Sequence, residues 1–234
     1  MRLGILKTGR PPTPAIPQFG TYPEMFMRLL GPDAYDYRVY AVDEGELPQS
    51  PKDADAFLVT GSSAGVYEPL DWIGRAVEFL QAAKGEAALV GVCFGHQLMA
   101  KAFGGEVIQS PRGWGLGEQE YRVLRREPWM DEAETIRLPG SHQDQVVSLP
   151  EGAEVFAASD FTPFGGLVWR DQPAMSIQLH PEFEPAYAIS LIEHRRGDRY
   201  ADAQADAAIA SYAGADDRDR VGGWIKTFLR HATT

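Results

Sequence analysis

Cysteine is nearly missing from this chain: 234 residues include one, Cys93. A single thiol excludes an intramolecular disulfide and fits a reducing compartment, so the expected location is cytoplasmic. Positive charge is also scarce. Against 33 Asp and Glu stand 22 Lys and Arg, a formal net charge of −11. That balance argues against nucleic acid and against anionic membrane surfaces as partners. No apolar run approaches the ~20 residues of a membrane span, and the opening MRLGILKTGR has no apolar stretch of the secretory kind. Cys and His are nowhere grouped at zinc-ligand spacing, and there is no G-x-x-x-x-G-K-[ST] phosphate loop. Neither a metal nor an organic cofactor is therefore expected. Repeats and low-complexity tracts are absent too, and one domain over residues 1–234 is the simplest expectation.

What is present alternates between strand and helix patterns. Leu3–Leu6, Tyr37–Val42, Ala56–Thr60 and Ala87–Val92 read as strands, the last apolar on both faces as in a central parallel strand. Helical spacing marks Tyr22–Leu30, Trp72–Ala83 and Gln97–Phe103, with Pro11–Pro17 as a loop. Beyond Glu106 the chain turns β-rich, with short strands expected near Trp114–Gly117, Glu120–Leu124, Thr135–Leu138, Glu154–Ala158, Gly166–Trp169 and Ala174–Gln178. Helices are expected at Glu184–Arg195 and Val221–His231, while 196–219 is charged, alanine-rich and hard to place. Repeated strand-then-helix units predict an α/β fold with a mostly parallel sheet covered on both sides.

The lone cysteine sits in ALVGVCFGHQLMA, between Gly91 and Gly95, where an apolar strand meets a helical run. A nucleophile at the tip of a strand-to-helix turn needs small residues on both sides for the turn to close. The amino end of the following helix favours an anion there, and the N–H of Phe94 is placed to bind a developing oxyanion. The alternative is a small buried hydrophobe, the usual fate of a free cysteine.

A cysteine nucleophile needs a base, and five histidines are available. In SIQLHPEFE an apolar strand delivers His180 at its end, Pro181 stops the strand, and Glu182 follows where it could orient the imidazole. A surface His-Pro turn with a solvated glutamate explains the same residues. His96 is expected to pack within its helix, and His194 and His231 to be solvated.

GVCFGHQ together with QLHPEFEP, 87 residues apart from Cys93 to His180, resembles the class I glutamine amidotransferases, flavodoxin-like cysteine amidohydrolases. The likeness is greatest to free-standing members related to the amidotransferase domain of GMP synthase and to the γ-glutamyl peptidases. It implies a flavodoxin-like three-layer sandwich, with Cys93 as nucleophile, His180 as base and Glu182 as its orienter. Two further segments match by position. LVTGSSAGVY falls where the family has a glycine-glycine-proline loop that supplies a second oxyanion-hole N–H, which implies Ser62 as donor and Gly61 as hinge. This chain has Gly-Ser-Ser instead, so a serine must take a glycine's geometry or the hole must form differently. GSHQDQV is similar to the family's Ser-His-x-Asp-x-Val segment, which implies substrate contacts from Ser141, His142 and Asp144, with Gln97 reaching the same ligand.

The resemblance implies hydrolysis of the γ-amide of glutamine or of a γ-glutamyl compound through a thioester. No fused ATP-pyrophosphatase domain is expected, so ammonia delivery would require a partner, a separate synthetase. A γ-glutamyl peptidase with little glutaminase activity, and a catalytically silent binding module on the same fold, are the competing expectations. Phe19, Tyr22 and Trp114 could wall a substrate longer than glutamine, although a plain surface connection is the simpler account of Pro11–Pro17.

Overall fold

A computed structural model describes residues 1–233. The chain opens with strand β1 (Arg2–Lys7), the short helix α1 (Ile16–Phe19) and helix α2 (Tyr22–Leu30). Next come β2 (Asp36–Ala41), β3 (Ala56–Val59), α3 (Asp71–Ala83), β4 (Ala88–Val92) and α4 (Phe94–Ala102). A β-rich stretch then runs through β5 (Glu106–Gln109), β6 (Gly115–Val123), β7 (Thr135–His142), β8 (Asp144–Ser148), β9 (Ala153–Ala158), β10 (Gly166–Trp169) and β11 (Ala174–Ile177). Helices α5 (Pro185–Arg195), α6 (Asp202–Ala210) and α7 (Arg218–Ala232) follow.

The main sheet has nine strands in the order β2-β1-β3-β4-β11-β10-β9-β6-β7. Its first five strands are mutually parallel. The remaining four extend it antiparallel. The parallel centre alternates its side chains between two cores. Leu3, Ile5, Ala56 and Leu58 face α2 and α7, where Phe26, Val221, Trp224 and Phe228 meet them. Leu6, Phe57 and Val59 face α3 and α4, against Ile73, Leu80, Leu98 and Met99. Strands buried on both faces read as continuous apolar runs, which is why β3 and β4 are plain in the sequence.

Several expectations shift. The Pro11–Pro17 stretch is not a bare loop: it holds a short 3₁₀ turn (Thr13–Ala15) and the start of α1, each with proline in its first turn, where the missing N–H costs nothing. The expected pieces Trp114–Gly117 and Glu120–Leu124 are one strand, β6. A second, two-stranded sheet pairs β5 with β8, and neither strand is legible as such in the sequence. Helix α4 begins directly after Cys93 rather than at Gln97. Within 196–219, α6 packs on β6, where Gly117 lies under Ala208 and the Ser211 Oγ accepts from the Glu118 N–H at 2.7 Å. No helix among the described residues is long and apolar enough to cross a membrane.

In doubly wound sheets, ligands bind beyond the carboxyl ends of the strands, near the point where the strand order reverses. Here β1 pairs with β2 on one side and β3 on the other. The carboxyl ends of β3, β4 and β11 lead respectively into Gly61, Cys93 and His180.

Candidate active site

Cys93 has φ 53° and ψ −104°, and among the described residues it is the only non-glycine with positive φ. Such a conformation costs ~1–3 kcal/mol and persists only where its surroundings over-determine it. They do here. The Cys93 N–H donates to the Ile177 carbonyl at 2.9 Å, and its own carbonyl accepts from the Gln97 N–H at 3.1 Å, opening α4. A Cβ on Gly91 would stand 2.6 Å from the Gly95 carbonyl oxygen and the Met99 sulfur, and one on Gly95 would collide with the Val59 carbonyl. Both flanking glycines are thus sterically required, and they let α4 press against β3 with Cys93 at the elbow.

His180 arrives from the end of β11, its N–H donating to the Pro139 carbonyl at 2.9 Å. Its Nδ1 lies 2.8 Å from Glu182 Oε1. A carboxylate only accepts, so Nδ1 carries a proton and Nε2 is the nitrogen left for Cys93. Both His180 and Glu182 are 3% exposed. The second carboxylate oxygen, Oε2, has no partner among the described residues, so the imidazole is the principal compensation for the buried charge. Burial opposes the charged imidazole, but the interactions with Cys93 and then Glu182 outweigh it, and the His180 pKa is pushed up. Phe183 stacks on the ring, with centroids 3.8 Å apart and planes 6° from parallel.

Gly61 closes against the same pair. A Cβ there would lie 3.1 Å from His180 Cε1 and 3.9 Å from Cys93 Cβ. Buried Thr8 fixes the turn: its Oγ1 donates to the Thr60 carbonyl at 2.9 Å and stands 3.2 Å from the Gly61 carbonyl. Ser62 has no positive φ, so the Gly-Ser-Ser sequence demands no glycine geometry at that position. Its Oγ accepts from the Ala64 N–H at 3.2 Å, and among the described residues the backbone N–H of Ser62 has no acceptor.

Gly61, Ser62, Cys93, His180 and Phe183 border a cavity of about 410 Å³ that also reaches Gln97, Ser141, His142 and Asp144. The Gln97 amide nitrogen is committed within the protein, to the Asp144 carbonyl and to Gln178 Oε1, both at 3.0 Å, so only its Oε1 is available to a ligand. The Nδ1 of His142 donates to the Asp144 carbonyl at 3.1 Å, leaving Nε2 an acceptor with no partner among the described residues. Burial pushes the His142 pKa down to about 4, so the ring is neutral. The Asp144 carboxylate accepts from the Tyr67 hydroxyl at 3.1 Å, and burial holds its pKa above the usual range. Ser141 Oγ accepts from Arg195 at 3.2 Å. His96 is wholly buried with Nδ1 2.8 Å from Ser176 Oγ, while His194 and His231 are exposed.

The "Glutamine amidotransferase class-I" family matches residues 19–192, which include Gly61, Ser62, Cys93, Gln97, Ser141, His142, Asp144, His180 and Glu182. The chain belongs to the class I glutamine amidotransferase family. A γ-glutamyl peptidase 4 of Arabidopsis thaliana is 29% identical over 75% of this chain and 73% of its own length. A glutamine-hydrolyzing GMP synthase subunit of Archaeoglobus fulgidus is 31% identical over 60% of this chain and 73% of that protein. The crystal structure of a glutamine amidotransferase from Thermotoga maritima superposes with a TM-score of 0.75 at 16% identity, covering 100% of this chain and 98% of the other, and so shares the fold.

Sequence reading of this class I amidotransferase misses several features of the cavity. Tyr22 lines it, but its stacking on Phe183 and contact with Tyr187 are not foreseeable from the chain alone. Tyr67, Glu68, Arg195 and Arg199 come to the cavity without any sequence expectation. For Phe183 a signal exists: it follows His-Pro-Glu directly, and that turn folds its ring back onto His180. Arg195 gives none, because its position depends on the length and direction of α5.

Proposed function

We propose that this chain is a cysteine-dependent amidohydrolase that cleaves the γ-amide of glutamine or of a γ-glutamyl compound. The observation that carries the reading is the meeting of Cys93, in its strained elbow, with a buried His180–Glu182 pair at the floor of a polar cavity. In this reading the Cys93 sulfur attacks the γ-carbonyl carbon. The tetrahedral oxyanion is met by the N–H groups of Phe94 and Ser62, each such donor typically supplying ~3–4 kcal/mol. The Cys93 thiol proton passes to His180 Nε2, which then gives it to the departing nitrogen; the C–N bond breaks and a thioester remains. Water then loses a proton to His180 and attacks the thioester, releasing glutamate and restoring the thiol. Glu182 holds the imidazole with Nδ1 protonated and balances its charge. The ammonium of the glutamyl half meets Asp144, whose raised pKa falls once a cation is beside it.

The cavity bears on the substrate. Its 410 Å³ falls within the ~300–1,000 Å³ of sites for drug-sized ligands, more than one amino acid requires. That supports γ-glutamyl amides larger than glutamine. The relationship to a GMP synthase subunit supports a second fate for the amine, delivery of ammonia to a separate synthetase. Turnover of glutamine, γ-glutamylputrescine and a γ-glutamylcysteine conjugate, measured separately by glutamate release, decides between them. Strong turnover of a conjugate with negligible glutaminase activity rejects the ammonia-delivery reading. Glutamate release that survives Cys93→Ala would reject the mechanism as a whole.

A further inference from the structure

We infer that Arg195 forms an anion subsite beside the proposed nucleophile and reads a carboxylate on the amine half of the substrate. The chain has carboxylates in excess, and an arginine beside this one finds them. Arg196, the next residue, is within ion-pair distance of Glu193, Asp202 and Asp206. Arg195 is different. Its side chain turns inward to line the cavity. Only Nη1 is hydrogen-bonded, to two neutral hydroxyls, Ser141 Oγ and the Tyr200 OH, each at 3.2 Å. Among the described residues Nε and Nη2 have no acceptor, and no carboxylate pairs with the group. The carboxyl end of α5 favours a cation, but that would be served equally by a side chain turned to water. An inward guanidinium with half its planar fork unused matches a carboxylate in bidentate geometry. Arg199, over the Trp114 ring at 6.0 Å, adds a second cation at the cavity wall, and it too has no carboxylate partner among the described residues.

The position of Arg195 identifies which carboxylate. Tyr187, Leu191 and Arg195 recur every fourth residue along α5 and so share one face. Tyr187 packs on Phe183, which stacks on His180. Tyr22 and Tyr187, with hydroxyls 3.3 Å apart, each stand close enough to feel the charges of both Arg195 and Glu182. Arg195 thus lies on the imidazole side of Cys93, where the nitrogen that His180 protonates must depart. Asp144 is held from a different direction, by the Tyr67 hydroxyl at 3.1 Å, and among the described residues no ion pair joins it to an arginine. A substrate with its glutamyl ammonium at Asp144 therefore extends its amine half toward Arg195. The class that fits is a γ-glutamyl amide of an amino acid or short peptide, cut by water to glutamate and the free amino compound. Ammonia, the leaving group of glutamine, has nothing for this subsite to hold.

The bond that is cut rests on the amidohydrolase reading; the anion subsite does not, and two arms separate them. In the first, kcat/KM is measured for γ-glutamylglycine and for γ-glutamylglycinamide, which differ only in carboxylate against carboxamide. The wild type is expected to favour the acid at least tenfold, chiefly through KM. In Arg195→Gln the ratio falls toward one, and Arg195→Lys restores part of it. A general loss of folding or of chemistry lowers both substrates and leaves the ratio alone. In the second arm, both compounds are titrated by calorimetry into Cys93→Ala protein with Arg195 intact and with Arg195→Gln. Acid preference in binding without any turnover in the first arm would sink the hydrolase reading and keep the subsite. A wild-type ratio near one would overturn the subsite. So would an unchanged ratio in Arg195→Gln, the result expected if the guanidinium held the α-carboxylate common to both compounds.

Discussion

Cys93→Gly should be more stable than Cys93→Ala, the reverse of the usual order. At an ordinary site glycine is the less stable by ~0.5–1 kcal/mol, because the unfolded chain is freer. Here the backbone stands at φ 53°, ψ −104°. The ψ lies outside the left-handed helical basin, so the strain on any residue with a Cβ belongs in the upper part of the ~1–3 kcal/mol typical of such sites. Glycine removes that strain. Against it stand the glycine entropy and the lost burial of one methyl group, ~0.8 kcal/mol. Glycine should remain ahead by about 1 kcal/mol, or roughly 2–4 °C in Tm for a chain of this size. Urea denaturation of the two variants, both inactive, measures the difference directly with the thiol absent from each. If alanine proves as stable as glycine or more so, the elbow stores no strain, and the argument that Gly91 and Gly95 hold Cys93 in a functional geometry fails.

Three further outcomes follow from the site. Gly61→Ala places a Cβ 3.1 Å from His180 Cε1, and the ring, stacked on Phe183, must yield by a few tenths of an ångström; kcat should fall about 10- to 100-fold with the urea midpoint nearly unchanged, and a variant as active as wild type would show that the ring position is not critical. Glu182→Gln removes one of the two interactions that raise the His180 pKa, so that pKa falls while Cys93 still holds it up in part, and kcat falls about 10²- to 10⁴-fold; NMR titration of the ring and steady-state kinetics check both, and a pKa equal to that of the wild type would contradict the role of Glu182. Stability should fall on mild acidification. Burial pushes His96 down to about 3 and His142 down to about 4 from 6.5, so the unfolded chain takes up protons that the folded one refuses. Their contribution is complete above pH 6.5 and is lost as pH falls toward those values, about 1.5 kcal/mol for each ring between pH 6.5 and 5. His180, with its raised pKa, acts oppositely: its contribution is full below pH 6.5 and is lost on the alkaline side. Urea midpoints across pH 5–7 test this, with His96→Asn expected to flatten the slope; equal slopes would refute it.

Much of the scaffold is legible because it is local. Ala88–Val92 is apolar at every position and could only be a doubly covered strand. Tyr22–Leu30 starts and stops where Thr21, which with Glu24 forms a capping box, and Gly31 dictate. The glycines around Cys93 announce the elbow for a steric reason that the structure makes explicit. His180 and Glu182 stand out because a strand end, a proline and a carboxylate lie within a few residues. What escapes depends on distant segments. The pairing of β5 with β8 joins short, half-exposed pieces with no periodicity of their own. Thr8 reaches Gly61 only because β1 and β3 are neighbours. Arg195 reads as one more charge in a charged segment, and its inward turn toward Ser141 is set by how α5 crosses the end of the sheet.

The most direct test uses the fact that the chain has one sulfhydryl. The folded protein is incubated with a diazo-ketone analogue of glutamine and its intact mass is followed with time. The mechanism predicts a single covalent adduct, mapped by peptide digestion to Cys93, forming far more slowly in His180→Asn. A correctly folded protein that gains no mass, or that is labelled elsewhere, would contradict it.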